Sequence, residues 1–142
     1  MDISGAGGTS WVRIEALRAS PAERLGALYR DWGLPTAASL VQLQGLRLHR
    51  IASGGIRHGL DVARAIALGA DLAGAALPIY RAYQEGGIEG ARSLIEQMIH
   101  ELKVAMLLTG NRTLAELRRT PVVLGPQLES WRPARRQEAP GQ

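Results

Sequence analysis

The chain has 142 residues, 46% of them hydrophobic, which is ample for one domain with a single core and small for any large enzyme architecture. It contains no cysteine, so disulfides, thiolate metal sites and cysteine nucleophiles are excluded. Seventeen Lys and Arg against thirteen Asp and Glu give a formal charge of +4, with the basic excess gathered largely at Arg112, Arg118, Arg119, Arg132, Arg135 and Arg136.

Such a basic stretch suits nucleic acid only with aromatic interleaving or a recognition motif, and neither accompanies it, so no nucleic-acid partner is expected. No segment approaches the ~20 uninterrupted apolar residues of a membrane span. The N-terminus also lacks a basic-then-apolar signal pattern, and a soluble, cytoplasmic protein with no membrane partner is the expectation.

In chain order, MDISGAGGTSW reads as the end of a strand running straight into a glycine-rich loop. Trp11, Ile14 and Leu17 have helical spacing, and PAERLGALYRDWG continues with further helical turns. PTAASLVQLQG predicts a helix with Pro35 near its first turn and Gly45 just past its end. LRLHRIAS predicts a short strand that stops at Gly54 and Gly55. GLDVARAIALGA follows as a helix, with Val62, Ala63, Ile66 and Ala67 on one face and Asp61 in the first turn, where a carboxylate suits the helix dipole. ADLAGAAL predicts a third strand that Pro78 stops. From Gly87 to Gly110, Ile88, Ala91, Ile95, Met98, Ile99, Leu102 and Met106 recur at steps of three and four, the pattern of a long amphipathic helix with Ile95, Met98 and Leu102 facing inward. NRTLAELRRT predicts a capped short helix, and residues 132–142 a disordered basic tail. Alternating strands and helices with these connections mean an α/β fold of about three parallel strands with right-handed crossovers.

Glycine carries an entropic cost, so Gly54 and Gly55 at the end of a strand imply that something approaches the backbone closely. A helix begins within a few residues, and free N–H groups there suit an anion such as phosphate, with Arg57 as a possible charged contact. A tight turn without ligand accounts for two glycines alone. The next strand also ends without bulk, at Gly74, Ala75 and Ala76, so two neighbouring strand ends leave room on one face.

DISGAGGTSW, PTAASL, IASGGIRHGLDVARAIALGAD and LTGNRTLAEL occur in an order that resembles the C-terminal part of type 2 isopentenyl-diphosphate isomerase, a flavin mononucleotide (FMN) enzyme. The resemblance runs to Trp131 and implies that residues 1–131 form the C-terminal portion of a TIM (β/α)8 barrel. It implies FMN contacts at Ser4 and Thr9, a phosphate-binding turn at Gly54, Gly55, Ile56 and Arg57, and neighbouring backbone at Ala75 and Ala76. It further implies Mg2+, NADPH as reductant, an isoprenoid diphosphate substrate and a homo-oligomer for the complete enzyme. The family's substrate and metal ligands lie outside the matched stretch, so no catalytic residue or metal ligand is expected here, and this stretch alone is expected to be inactive. Two departures stand out: Leu77 replaces a basic residue before Pro78, and His49 and Arg50 occupy a typically apolar strand.

Other flavin or phosphate barrels share the double glycine. A 2-hydroxyacid oxidase needs a catalytic histidine after the first strand, where SGAGGTSW stands instead. An inosine-monophosphate dehydrogenase needs a cysteine. His49, His58 and His100 lack metal-ligand spacing. The remaining alternative is an inactive remnant, or an FMN- or phosphate-binding interaction module drawn from another FMN-dependent barrel.

Overall fold

A computed structural model describes residues 1–18 and 23–133. Its elements run α1 (Trp11–Arg18), α2 (Glu23–Tyr29), α3 (Thr36–Gln42), β1 (Ile51–Ser53), α4 (Gly59–Ala67), β2 (Leu72–Gly74), α5 (Leu77–Leu108), α6 (Leu114–Leu117) and α7 (Pro126–Glu129). Strands β1 and β2 pair in parallel, with Ile51 opposite Leu72, Ala52 opposite Ala73 and Ser53 opposite Gly74. Residues 1–5 run along the other edge of β1: the Ile51 N–H donates to the Met1 carbonyl, and the Ile3 and Gly5 N–H groups donate to the Ile51 and Ser53 carbonyls, at 2.9 to 3.0 Å. This segment bridges β1 at Asp2 without forming a full strand. The expected parallel order is present, as two short strands and one bridged extension.

Side chains along β1 alternate as a strand requires. Ala52 is fully buried and joins a core of Leu40, Val41, Ile56, Ala63, Ala65, Ile66, Leu68, Ala70, Met98 and Leu117. Of the predicted face of α4, Ala63 and Ile66 are buried and Val62 and Ala67 packed beside them; Ala65 is a further buried residue. The helix starts where the His58 ring nitrogen accepts the Asp61 N–H, a side-chain N-cap. Across the packing interface, Glu101 of α5 accepts the Gly59 N–H at 2.6 Å, and this bond holds the Glu101 carboxyl below its usual range.

Three boundaries differ from the sequence reading. Residues 46–50 are not strand: Gly45 turns the chain at φ 85°, and Leu46 and Leu48 stay exposed. Strand β2 ends at Gly74, and Pro78 falls in the first turn of α5, where its missing N–H has no helical partner to lose. The long helix therefore begins at Leu77 and continues past Gly87, whose φ of 62° breaks the helical geometry inside it. Its packing stripe is Leu94, Met98, Leu102, Ala105 and Met106, whereas Ile95 and Ile99 are 45% and 47% exposed. The inward placement of Ile95 is corrected: the stripe steps from Leu94 to Met98 to Leu102, one residue around the helix from it. The proposed tail falls mostly at residues 134–142, outside the described residues.

Arg50, the polar intruder, donates its backbone N–H to Asp71 at 2.7 Å and its Nη1 to the Leu43 carbonyl at 3.2 Å. Asp71 also pairs with Arg118 of the segment after α6 at 3.0 Å. The Arg50 N–H first, and then the Arg118 charge, hold the Asp71 carboxyl below the usual aspartate range. A lowered folded value means that this stabilisation is present above the unfolded pKa of about 4 and is lost as pH falls through the folded value. Asp71→Asn is thus expected to lower the urea midpoint at pH 7, with its gap from the parent protein narrowing at pH 3. A constant gap across that range would contradict the assignment.

Candidate functional site

The double glycine closes against the chain itself. Gly54 and Gly55 have φ of 89° and 82°, in the left-handed region that glycine enters without penalty. A Cβ on Gly54 would collide with the Gly5 carbonyl, and one on Gly55 would stand 3.0 Å from the Gly7 carbonyl. In return, a Cβ on Gly8 would meet the Gly55 nitrogen at 3.1 Å. The close backbone approach expected at Gly54 and Gly55 is thus made by the other glycine-rich loop, residues 5–8, nearly fifty positions away in sequence.

Two side chains fasten these loops together. Thr36, opening α3, directs its hydroxyl at the Ser53 and Gly54 carbonyls, at 3.0 and 2.6 Å. Arg57 reaches back and donates Nη2 to the Gly7 carbonyl at 3.0 Å, while its own N–H donates to Asp61 at 3.2 Å. The Arg57 guanidinium therefore lies against the glycine loop and remains solvent-exposed.

Ile56 buries its side chain to 7% exposure, so only its backbone faces the strand end. Among the described residues, the N–H groups of Gly55, Ile56 and Ala76 donate to no protein acceptor. The parallel register ends with Ser53 opposite Gly74, so Gly54 and Gly55 follow one strand end and Ala75 and Ala76 the adjacent one. Ala76 is the N-cap of α5 and has no side-chain cap, so the helix begins with its positive dipole end uncovered. Two strand ends thus present unpartnered amides and an open helix start without bulk between them. Such a cradle fits a phosphate.

Ser4 holds φ at 42°, the one non-glycine residue with positive φ among those described, and its Oγ lies 3.4 Å from the Ser53 Oγ. Thr9 is exposed and makes no hydrogen bond among the described residues. The structure therefore gathers Gly54, Gly55, Ile56, Arg57, Ala75 and Ala76 at two adjacent strand ends and puts Ser4 beside them through Ser53, with Thr9 farther along the first loop. Asp2, Thr36 and Ser53 organise this site and were not singled out in the sequence. A strand-end hydroxyl and a threonine opening a helix are common enough that only the fold reveals their partners. No group of three or more His, Cys, Asp or Glu among the described residues is arranged to hold a metal ion, and no described helix is long and apolar enough to cross a membrane.

A family model described as FMN-dependent dehydrogenase matches residues 34–124. The isopentenyl-diphosphate delta-isomerase of Sulfurisphaera tokodaii is 47% identical over 136 residues, covering 92% of this chain and 37% of that protein. The same-named protein of Pyrobaculum aerophilum is 47% identical over 140 residues, covering 96% of this chain and 39% of that one. The chain spans less than two-fifths of the length of either relative. Among solved structures, a mandelate oxidase variant with a monooxide FMN adduct superposes with a TM-score of 0.63 at 30% identity, covering 83% of this chain and 40% of that one. A lactate oxidase from Pediococcus acidilactici gives 0.60 at 25% identity, covering 84% and 35%. The strand and helix order of this chain is that of part of a TIM barrel, with the glycine turns at the carboxyl ends of its strands. On the family match and on the parallel strand ends that carry its glycines, the chain belongs to the FMN-dependent dehydrogenase family.

Proposed function

We propose that this chain supplies the FMN-phosphate site of a type 2 isopentenyl-diphosphate isomerase, which interconverts isopentenyl and dimethylallyl diphosphate. The observation that carries the reading is the pair of bare strand ends, Gly54 to Arg57 beside Ala75 and Ala76, in a chain 47% identical to a protein of that name. Residues 1–131 form the barrel portion in this proposal.

The N–H groups of Gly55, Ile56 and Ala76 bind the phosphate, and the open start of α5 adds its dipole. Gly54 lets the turn close on Gly5, and Ala75 packs its methyl against the core. Arg57 holds the loop of residues 5–8 in place and adds positive charge at its rim. Ser4 and Thr9 meet the polar parts of the cofactor beyond the phosphate. When bound, reduced FMN supplies the acid and base that move a proton across the allylic carbons with no net redox change. Mg2+, NADPH as reductant, the substrate diphosphate, a homo-oligomeric assembly and a cytoplasmic setting belong to the complete enzyme in this reading, with no nucleic-acid or membrane partner.

FMN titration by fluorescence quenching tests it, together with product formation from isopentenyl diphosphate in the presence of a reductant and Mg2+. The chain alone is expected to bind FMN weakly or not at all and to show no turnover, because its two short strands leave the rest of a barrel interior unformed. Mixed with the segment of the Sulfurisphaera tokodaii isomerase that it does not cover, it is expected to recover both. Recovery of FMN binding without turnover would favour an FMN-binding module, and a mixture that assembles without binding FMN would overturn the proposal.

A further inference from the structure

The face of the sheet opposite Ala52 and Ile3 carries three polar residues, Asp2, Ser4 and Ser53, at the end where the cofactor is placed. The Ser53 hydroxyl donates to Asp2 Oδ1 at 2.5 Å, and the Ser4 N–H donates to the same oxygen at 3.0 Å. Ser4 Oγ then faces Ser53 Oγ at 3.4 Å.

An ionised carboxylate accepts and never donates, so the Ser53 proton is committed to Asp2. Ser53 Oγ has only lone pairs left for Ser4, so across the long 3.4 Å contact the donor is the Ser4 hydroxyl whenever that bond is made. With its proton turned toward Ser53, Ser4 Oγ offers lone pairs to a group that stands above it. Hydrogen bonds to the carboxylate from Ser53 and Ser4 also hold Asp2 below the ordinary aspartate range, which keeps it an acceptor near neutral pH. The same Ser4 N–H bond braces the residue at its positive φ of 42°, a conformation uncommon for a serine.

Resting on the FMN reading above, we propose that Asp2 is a positioning residue: acting through Ser53, it fixes Ser4 Oγ as a hydrogen-bond acceptor that selects a donor group of the flavin, an N–H of the ring edge or a ribityl hydroxyl. Asp2 itself touches no cofactor atom in this arrangement, and it works by ordering two hydroxyl protons. A ligand that presents a carbonyl at that point meets lone pairs and is disfavoured.

The relay is tested in the assembled protein, this chain combined with the uncovered segment of the Sulfurisphaera tokodaii isomerase, with FMN as the probe and fluorescence quenching as the readout. Ser53→Thr retains the hydroxyl, while Ser53→Val has nearly the same shape without it, and both suit a strand. Ser53→Thr is expected to bind FMN within about threefold of the parent, and Ser53→Val to bind about tenfold more weakly, as for one lost polar contact. Asp2→Asn is expected to weaken binding to a similar degree, and the double variant Asp2→Asn with Ser53→Val no further than either alone, since all remove one relay. Ser53→Val is expected to melt slightly below Ser53→Thr, having lost the bond to Asp2, and FMN affinities are compared at a temperature where both variants are folded. Parent-like FMN affinity in Ser53→Val, or additive losses in the double variant, would overturn the relay while leaving the FMN reading intact. An assembled parent protein that binds no FMN would overturn both.

Discussion

Replacing Gly54 by alanine is expected to lower the unfolding free energy by about 3 kcal/mol or more, as the sum of a backbone forced to keep a left-handed φ and a steric clash that neither partner can relieve. The new methyl would strike the Gly5 carbonyl, which is itself fixed because the Gly5 N–H is bonded to the Ser53 carbonyl and Thr36 closes the other side. Gly45 provides the internal control. Its φ of 85° is nearly the same, but a Cβ there would meet nothing within 4 Å, so Gly45→Ala is expected to cost only about 1 kcal/mol. The difference between the two urea-unfolding energies reads out the packing of one glycine loop on the other. Equal costs would show that the loops are not held together as described.

The second large effect is expected in α3. Leu40 and its neighbour Val41 are the largest fully buried side chains among the described residues, in one core with Ala52, Ile66 and Leu117. Leu40→Ala is therefore expected to destabilise the protein by about 2 to 5 kcal/mol, through lost transfer energy and the cavity left behind. Leu102→Ala, on the only partly buried stripe of α5, is expected to cost less. A denaturant series on both variants checks the order, and a Leu102→Ala loss equal to or above that of Leu40→Ala would show that the core is centred on α5 instead.

What could be read from the residues depended on how local the cause was. Helix α4 was legible because its evidence lies within a dozen positions: the apolar face, Asp61 in the first turn and the two glycines before it. The first part of α5 was hidden because Pro78 reads equally as the stop of a strand and the start of a helix, and Gly86 with Gly87 reads as a boundary. Residues 46–50 alternate Leu with polar side chains and so imitate a strand, yet the turn at Gly45 delivers them to the surface. For the site, the glycines announced a close approach, and the positions of Gly54 to Arg57, Ala75 and Ala76 follow from the strand pattern. That the approaching partner is residues 5–8 depends on pairing across some fifty residues, which no local pattern encodes. Asp2, Thr36 and Ser53 escaped notice for the same reason, since each acts through a long-range hydrogen bond.

The break at Gly87 bears on the electric field at the strand ends. Peptide dipoles add only while they stay aligned, and the φ of 62° at Gly87 ends the alignment that begins at Leu77. An anion over Ala75 and Ala76 therefore senses a helix of about ten residues, roughly 15 Å long at 1.5 Å per residue, and not the full span to Leu108. Because a helix terminus acts mainly through its first turn, this shortening takes almost nothing from the attraction at the N-terminus. The later segment is left free to lie along α4 at the angle that Met98 and Leu102 require, so the direction of the field and the direction of the packing are set by separate pieces of one helix.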